Sequence, residues 1–311
     1  MYGRACGSYD LTLFLIRENE KRIRIIGDYD IDGVCASVIL YRGLRMAGAD
    51  ADYAIPHRVH DGYGINTHLI DEAFQSGTDL IITCDNGVSS YEAVKLAKDQ
   101  GIDVIITDHH EIPDVLPPAD AVIDAKQEDC RYPFRELCGA AVSYKFIQAL
   151  GSLFLAEKNE DEKTAYDLES LYERMIQYAG MATITDIVPL KGENHIFARL
   201  GIEYLKRTDN PGLLALFKIK GIEADRIKGY HVGFIIGPSI NSAGRLKNAK
   251  IAFDLLDTKD PEAAVRIAGE LNELNEERKA LTLEQTKAAE LIIEEDPEMS
   301  SGKKKVLVIY L

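Results

Sequence analysis

The chain has 311 residues, of which 46% are hydrophobic and 28% charged, with a net charge of −15 and five cysteines. That length suits about two domains of roughly 100–200 residues, and the mixture excludes collagen-like, low-complexity and mostly disordered chains. The longest apolar run near the N-terminus, Leu13–Ile16, is too short for a membrane span, and the odd, unclustered cysteines disfavour a disulfide framework or a structural zinc site, so a cytoplasmic protein is expected.

The first half alternates short apolar segments with amphipathic ones. Lys21–Ile26 reads as a strand and Asp32–Ala47 as a helix stopped at Gly48. Ala51–Ile55 is the next strand and Thr67–Ser76 the next helix. Asp79–Cys84, Asp103–Thr107 and Ala121–Asp124 read as strands, with a helix over Ser89–Gln100. This alternation predicts an α/β fold, a parallel sheet with helices on both faces and a ligand site at the carboxyl ends of its strands. From Gly139 the pattern turns helical: Ala140–Leu155, Tyr166–Ala182 and Glu193–Lys206, with an exposed loop expected over Lys158–Lys163. Pro261–Glu295 is a long, highly charged helix, more a connector than a core element. Val306–Leu311 reads as an apolar strand and is expected to open a second domain that is cut short. The domain reading is therefore a catalytic unit over 1–260 (α/β about 20–135, helical about 139–260), a connector over 261–299, and the start of a second domain over 305–311.

Three strand ends carry acidic or imidazole clusters: Gly27-Asp28-Tyr29-Asp30-Ile31-Asp32-Gly33, Cys84-Asp85-Asn86-Gly87 and Thr107-Asp108-His109-His110. Singly, each fits ordinary turn chemistry, and Asp32 fits a cap on the following helix. Together, on neighbouring parallel strands, they converge at one edge with no comparable run of Lys or Arg to neutralise them. Carboxylates so crowded repel strongly unless a divalent cation, or more economically two, lies among them. Hard oxygen ligands with one or two imidazoles suit Mn²⁺ or Mg²⁺. Asp186, in Ala182-Thr183-Ile184-Thr185-Asp186, is a fourth candidate; a helix-terminal turn is its plain alternative. Adjacent His109 and His110 do not easily share one metal, so one is expected as ligand and the other facing substrate. Net charge argues against a nucleic-acid partner, but residues 190–250 hold 11 Lys+Arg against 5 Asp+Glu, a basic island of +6.

The segments GDYDIDGVCAS (Gly27–Ser37), CDNGVSS (Cys84–Ser90), TDHHEIP (Thr107–Pro113) and ATITDIVPL (Ala182–Leu190) resemble the DHH phosphoesterase superfamily, named for the triplet at Asp108–His110. GPSINSAGRL (Gly237–Leu246) and IPHRVHDGYGIN (Ile55–Asn66) resemble its branch of bacterial single-stranded-DNA-specific 5′→3′ exonucleases. The resemblance runs from Ile23 to about Leu283. It implies metal ligands at Asp30, Asp32, Asp85, His109 and Asp186, with Asp28 as a further ligand or its support. It implies that His110 meets the scissile phosphate or assists the leaving group, and that Asp108 orients its neighbours. Arg58 and Arg245, helped by Asn241 and Ser242, would hold phosphates, the 5′-terminal one included. The implied activity is a two-metal phosphodiesterase using Mn²⁺ (or Mg²⁺), acting from the 5′ end of single-stranded DNA in repair and recombination, fed by a helicase or a single-strand-binding protein. Two other readings fit the metal motifs: a phosphodiesterase of short oligonucleotides or cyclic dinucleotides, and a non-catalytic scaffold that binds nucleic acid.

Overall fold

The computed structural model describes residues 21–58, 61–62, 64–158, 162–301 and 305–309, with the side chains of 153–166 and 297–298 left aside. Five parallel strands, β1 (Arg22–Ile26), β2 (Asp50–Ala54), β3 (Leu80–Cys84), β4 (Asp103–Thr107) and β5 (Ala121–Ile123), form one sheet in the order β2-β1-β3-β4-β5. The register sets Ile82 between Ile25 and Ile105. β3, LIITC, is buried along its whole length, as a central strand covered on both faces must be.

Period-two alternation sorts the strand side chains. Ile23, Ile25, Leu80, Ile82 and Ile105 join the larger core with α1 (Ile31–Met46), whereas Ile26, Ile81, Val104 and Ile106 face α2 (Thr67–Gln75) and α3 (Tyr91–Asp99). The chain winds outward through β2 on one side of β1 and through β3, β4 and β5 on the other. The crevice between the carboxyl ends of β1 and β3 is thus the topological switch point, where such sheets place their ligands.

The helical half covers the face that bears α1. It comprises α4 (Gly139–Lys158), α5 (Glu162–Thr185), α6 (Gly192–Leu205), α7 (Pro211–Lys220), α8 (Gly237–Leu246), α9 (Lys250–Asp257), α10 (Pro261–Glu295) and the short α11 (Pro297–Ser300). α4 and α5 pack on α1. Arg42 of α1 bonds Asp257 Oδ1 at 2.8 Å, Tyr178 Oη at 3.0 Å and the Leu256 carbonyl at 2.9 Å, tying α9 and α5 to the sheet layer. A helical turn at Gly229–His231, a π-turn over Val232–Ile236 and α8 form one unbroken run. On α10, Ala264, Ala268, Leu271 and Asn275 are buried at helical spacing, and no described residue beyond Asn275 is. Among the described residues no helix is long and apolar enough to cross a membrane.

Helices α7, α8 and α9 and the π-turn extend the expected helical segment, and the expected loop at Lys158–Lys163 narrows because α5 begins at Glu162; residues 159–161 lie outside the described ones. One expectation is corrected. Val306–Ile309 is not in a strand: a strand exists by pairing, and among the described residues no ladder partner lies alongside it; Tyr310 and Leu311 lie outside the described residues.

The crossing of α5 and α6 has no room for a side chain: a Cβ on Gly180 would lie 2.5 Å from the Phe197 carbonyl oxygen and 2.6 Å from Gly201 Cα. Gly180→Val is expected to cost about 1–3 kcal/mol, read as a lower urea midpoint; an unchanged midpoint would show that the crossing yields.

Candidate metal centre

The loop after β1 turns tightly because Gly33 leaves room for it; a Cβ there would lie 2.5 Å from the Asp28 backbone. Asp30 caps α1, its Oδ1 accepting from Asp32 N at 2.8 Å and Gly33 N at 3.1 Å. Asp32 does not cap its own helix. It is buried, and its carboxylate accepts from Gly139 N at 2.7 Å and Ala140 N at 2.8 Å, capping α4 across 107 residues of sequence.

Asp85 ends the central strand with φ +62°, a left-handed conformation that costs an ordinary residue about 1–3 kcal/mol. Its neighbours hold it there. Asp85 N donates to the Thr107 carbonyl at 3.0 Å, and Gly139 lies so close that its Cβ would come within 2.6 Å of Asp85 Cβ. Buried Asn86 staples three segments: its Nδ2 donates to the Ile26 carbonyl at 3.1 Å and the Cys84 carbonyl at 2.9 Å, and its Oδ1 accepts from Ile65 N at 3.0 Å. Asn86 and Gly139 were not among the residues singled out by sequence. An Asn after the strand-end Asp was visible there, whereas the approach of Gly139 is set only by the packing of α4.

Asp108 is buried after β4. Its Oδ2 accepts from Val88 N at 3.0 Å, and its Oδ1 accepts from His109 N at 2.8 Å and pairs with His110 Nδ1 at 2.7 Å. Burial opposes its charge, but the bond to His110 and the backbone donors prevail and hold its pKa below the usual range. The same bond raises the pKa of His110, against burial. Burial lowers His109 instead, which favours the neutral imidazole a metal needs.

These pieces converge. His109 Nε2 lies 2.9 Å from Asp85 Oδ1, 3.6 Å from Asp32 Oδ2 and 3.8 Å from Asp186 Oδ2. Three overlapping groups offer ligand atoms within 4.8 Å of one another: Asp85, His109 and His110; Asp32, His109 and Asp186; and Asp28, Asp30 and Asp85. The structure thus brings together every acid and imidazole expected at the centre, and Asp85 belongs to two groups. The rings of His109 and His110 lie 4.4 Å apart, tilted by 53°. Burial, then the Asp30 charge, pushes Asp28 up to about 7, and burial, then Asp32 and Asp30, pushes Asp186 up to about 8. Asp85 is raised well above the carboxylate range by burial first and then by Asp32. Asp28 Oδ1 is buried with no hydrogen-bond partner among the described residues. An orphaned carboxylate oxygen among crowded acids is what a hard divalent cation satisfies, so the donor set fits Mn²⁺ or Mg²⁺.

The expected phosphate contacts divide. Arg58 is exposed, with its guanidinium 5.3 Å from the Tyr29 ring centroid, and a Cβ on Gly244 would meet the Tyr29 backbone; the next residue, Arg245, is exposed. Both cations thus border the Asp28–Asp32 loop. Asn241 Oδ1 accepts from Ile31 N at 2.7 Å, so it braces that loop. Ser242 is a correction. It is fully buried, and its hydroxyl bonds the Ser239 carbonyl at 2.6 Å, so it holds α8 together instead of reaching a phosphate.

Residues 22–175 match the DHH family, N-terminal domain. The single-stranded-DNA-specific exonuclease RecJ of Bacillus subtilis (strain 168) is 36% identical over 276 residues, 89% of this chain and 33% of that protein. A crystal structure of an exonuclease RecJ bound to manganese superposes with a TM-score of 0.78 at 31% identity, covering 94% of this chain and 70% of the other. RecJ from Thermus thermophilus in complex with Mn²⁺ gives 0.75 at 30% identity, covering 94% and 40%. The chain therefore spans about a third of the Bacillus relative's length.

Carboxyls raised in the folded chain hold protons that the unfolded chain has already released above about pH 4. The folded state binds more protons in this window, so the metal-stripped protein should lose stability as pH rises from about 5 to about 8. Mn²⁺ displaces those protons and should raise the thermal midpoint more at the upper pH than at the lower. A stripped protein that becomes more stable across this range would contradict the assignment.

Proposed function

The chain belongs to the DHH family, and on that footing we propose that it is a metal-dependent phosphodiesterase that removes nucleotides from the 5′ end of single-stranded DNA. The observation that carries this reading is the shared position of Asp85, held with strained φ between Asp28 and Asp30 on one side and His109 and His110 on the other. Asp28, Asp30, Asp32, Asp85, His109 and Asp186 are the residues that would hold two cations, with Asp85 between them. When bound, such a pair supplies hydroxide from water near neutral pH and charge stabilisation for the leaving oxygen.

The chain's own residues do the rest. Asp108 fixes the His110 ring through Nδ1 and so orients it toward the substrate. With its pKa raised, His110 keeps a proton to place on a phosphate oxygen or on the leaving oxygen. Arg58 and Arg245 offer planar two-pronged contacts to phosphate at the border of the same loop. A terminal phosphate held there sets the direction of attack from the 5′ end. Narrowness of approach, admitting one strand and not two, comes with the similarity to the RecJ exonucleases. The same proposal extends to a repair and recombination setting, a cytoplasmic location, and a helicase or single-strand-binding protein that delivers substrate. We read α10 as the connector to a second domain in the whole protein.

The test is Mn²⁺-dependent digestion of a 5′-labelled single strand beside its duplex and a dinucleotide. Early release of labelled mononucleotide from the single strand alone is expected; cleavage of the dinucleotide alone would move the protein to small substrates, and no cleavage in any lane would favour a scaffold. Asp85→Asn and His109→Ala should each lower kcat on the order of a thousandfold or more. Arg245→Ala should raise KM about tenfold or more with metal content unchanged.

A further inference from the structure

Two large rings stand exposed where a soluble surface normally hides them. Tyr230 is 63% exposed and Phe234 71%, and they stack on each other with centroids 5.2 Å apart and planes inclined by 24°. They lie on the helical run that starts at Gly229, and Phe234 sits within its π-turn, a feature enriched at functional sites.

That run borders the metal centre along its length. A Cβ on Gly237 would lie 2.6 Å from Thr185 Cγ2, and one on Gly233 would lie 3.8 Å from Ile184 Cγ2, so the run rests on the last turn of α5, just before Asp186. Further along, Asn241 holds Ile31 N beside Asp30, and Arg245 follows. Phe234, Asn241 and Arg245 are spaced i, i+7 and i+11, which at helical periodicity sets them on one face, with Tyr230 one turn before. Read along that face, the order is a cation at the Asp28–Asp32 loop, the metal loop itself, the Asp186 end of α5, and then the two rings. The interval from Arg245 to Phe234 is about 16 Å at the helical rise, on the order of five nucleotides at the stacked spacing of a strand.

Resting on the single-strand reading above, we propose that Tyr230 and Phe234 form a base-stacking platform for the strand downstream of the scissile phosphate. Every base has a π-face, so such a platform grips a strand without reading its sequence. The surroundings suit a polyanion: Lys228 is exposed just before the rings, within the +6 stretch at 190–250, while Arg226 is held by Glu223 at 2.9 Å. Ile187, 89% exposed with φ +61° directly after Asp186, lies beside the same end of α5. A single strand is the occupant because its anchor, its cleavage point and the rings fall in line on one helix face; an apolar protein segment would have no use for that alignment.

Binding is measured by fluorescence anisotropy with Ca²⁺ in place of Mn²⁺, using 5′-phosphorylated single strands of two to twelve nucleotides. Tyr230→Leu with Phe234→Leu keeps an apolar surface and removes the stacking faces, and should weaken binding of the longest strand about tenfold or more. The ratio of variant to wild-type Kd should rise with length and level off near six nucleotides. Abasic sites about five nucleotides from the 5′ end should cost the wild type a similar factor and the variant little. Tyr230→Phe with Phe234→Tyr should restore tight binding, which separates stacking from loss of fold. A leucine pair that binds as tightly as wild type, or a wild type indifferent to the abasic sites, would overturn the platform. Wild-type cleavage of the single strand together with either result would leave the exonuclease reading standing. Base-dependent binding without cleavage would overturn that reading and keep the platform.

Discussion

Like charges drawn together in a dry crevice set the terms for this fold. Asp28, Asp32 and Asp85 are buried beside Asp30 and Asp186. Carboxylates in such surroundings either keep protons or gather around a cation, and desolvation makes their shared ionisation expensive. The sheet makes the crowding unavoidable, because parallel neighbours end together and β1, β3 and β4 each finish on acidic or imidazole residues. What the fold must then supply is rigidity, since a cluster free to move apart would relieve its repulsion without binding anything.

That rigidity comes from backbone groups bound to the acids and from residues with no chemistry of their own. Asp32 is locked by two N–H donors of α4, so the helical half is bolted to the metal loop by one of its own candidate ligands. Asn86 joins the end of β1, the end of β3 and the loop before α2, and Gly139 closes on Asp85 from the other side. Among the described residues, the two non-glycine positions with positive φ are Asp85 and Ile187. One is a candidate ligand and the other directly follows one. Strain of that kind persists only where the surroundings over-determine it, and here it marks the same centre that the carboxylates do.

Much of this was legible in the sequence because it is local. DLIITC and DVIIT announce buried strands by their β-branched runs, and the acids at their ends follow within one or two residues. The long helix over Pro261–Glu295 was readable from Asp260 and Pro261 at its start and from its unbroken pattern. Less visible were the consequences of assembly. Asp32 looked like a cap for the helix it begins and instead caps one more than a hundred residues away. Ser242 looked available within GPSINSAGRL, yet Ser239 and Leu271 enclose it. The helix at Pro211–Lys220 carried ordinary signals, an Asn cap, a Pro at the first position and a left-handed Gly at the end. Val306–Ile309 has the composition of a strand without, among the described residues, the neighbour that makes one.

On the proposed single-strand reading, an acidic chain must hold a polyanion, and this one segregates its charges along the helical half. The carboxylates are turned inward at the strand ends, where divalent cations would offset them. An excess of basic residues, +6, lies over residues 190–250, and the acids of α10 lie largely on the part of that helix beyond Asn275, which leaves the core. A strand approaching the metal centre therefore meets local potential instead of the net charge of −15, because charges farther away than roughly a Debye length of about 8 Å are screened at physiological salt. Attraction of this kind weakens steeply with salt, while contact between bases and rings does not depend on counterion release. Grip on the strand under cellular conditions should then rest more on apolar faces near the centre than on total charge, and the helical run from Gly229 to Leu246 is where the fold puts a cation and apolar faces on one side of the same element.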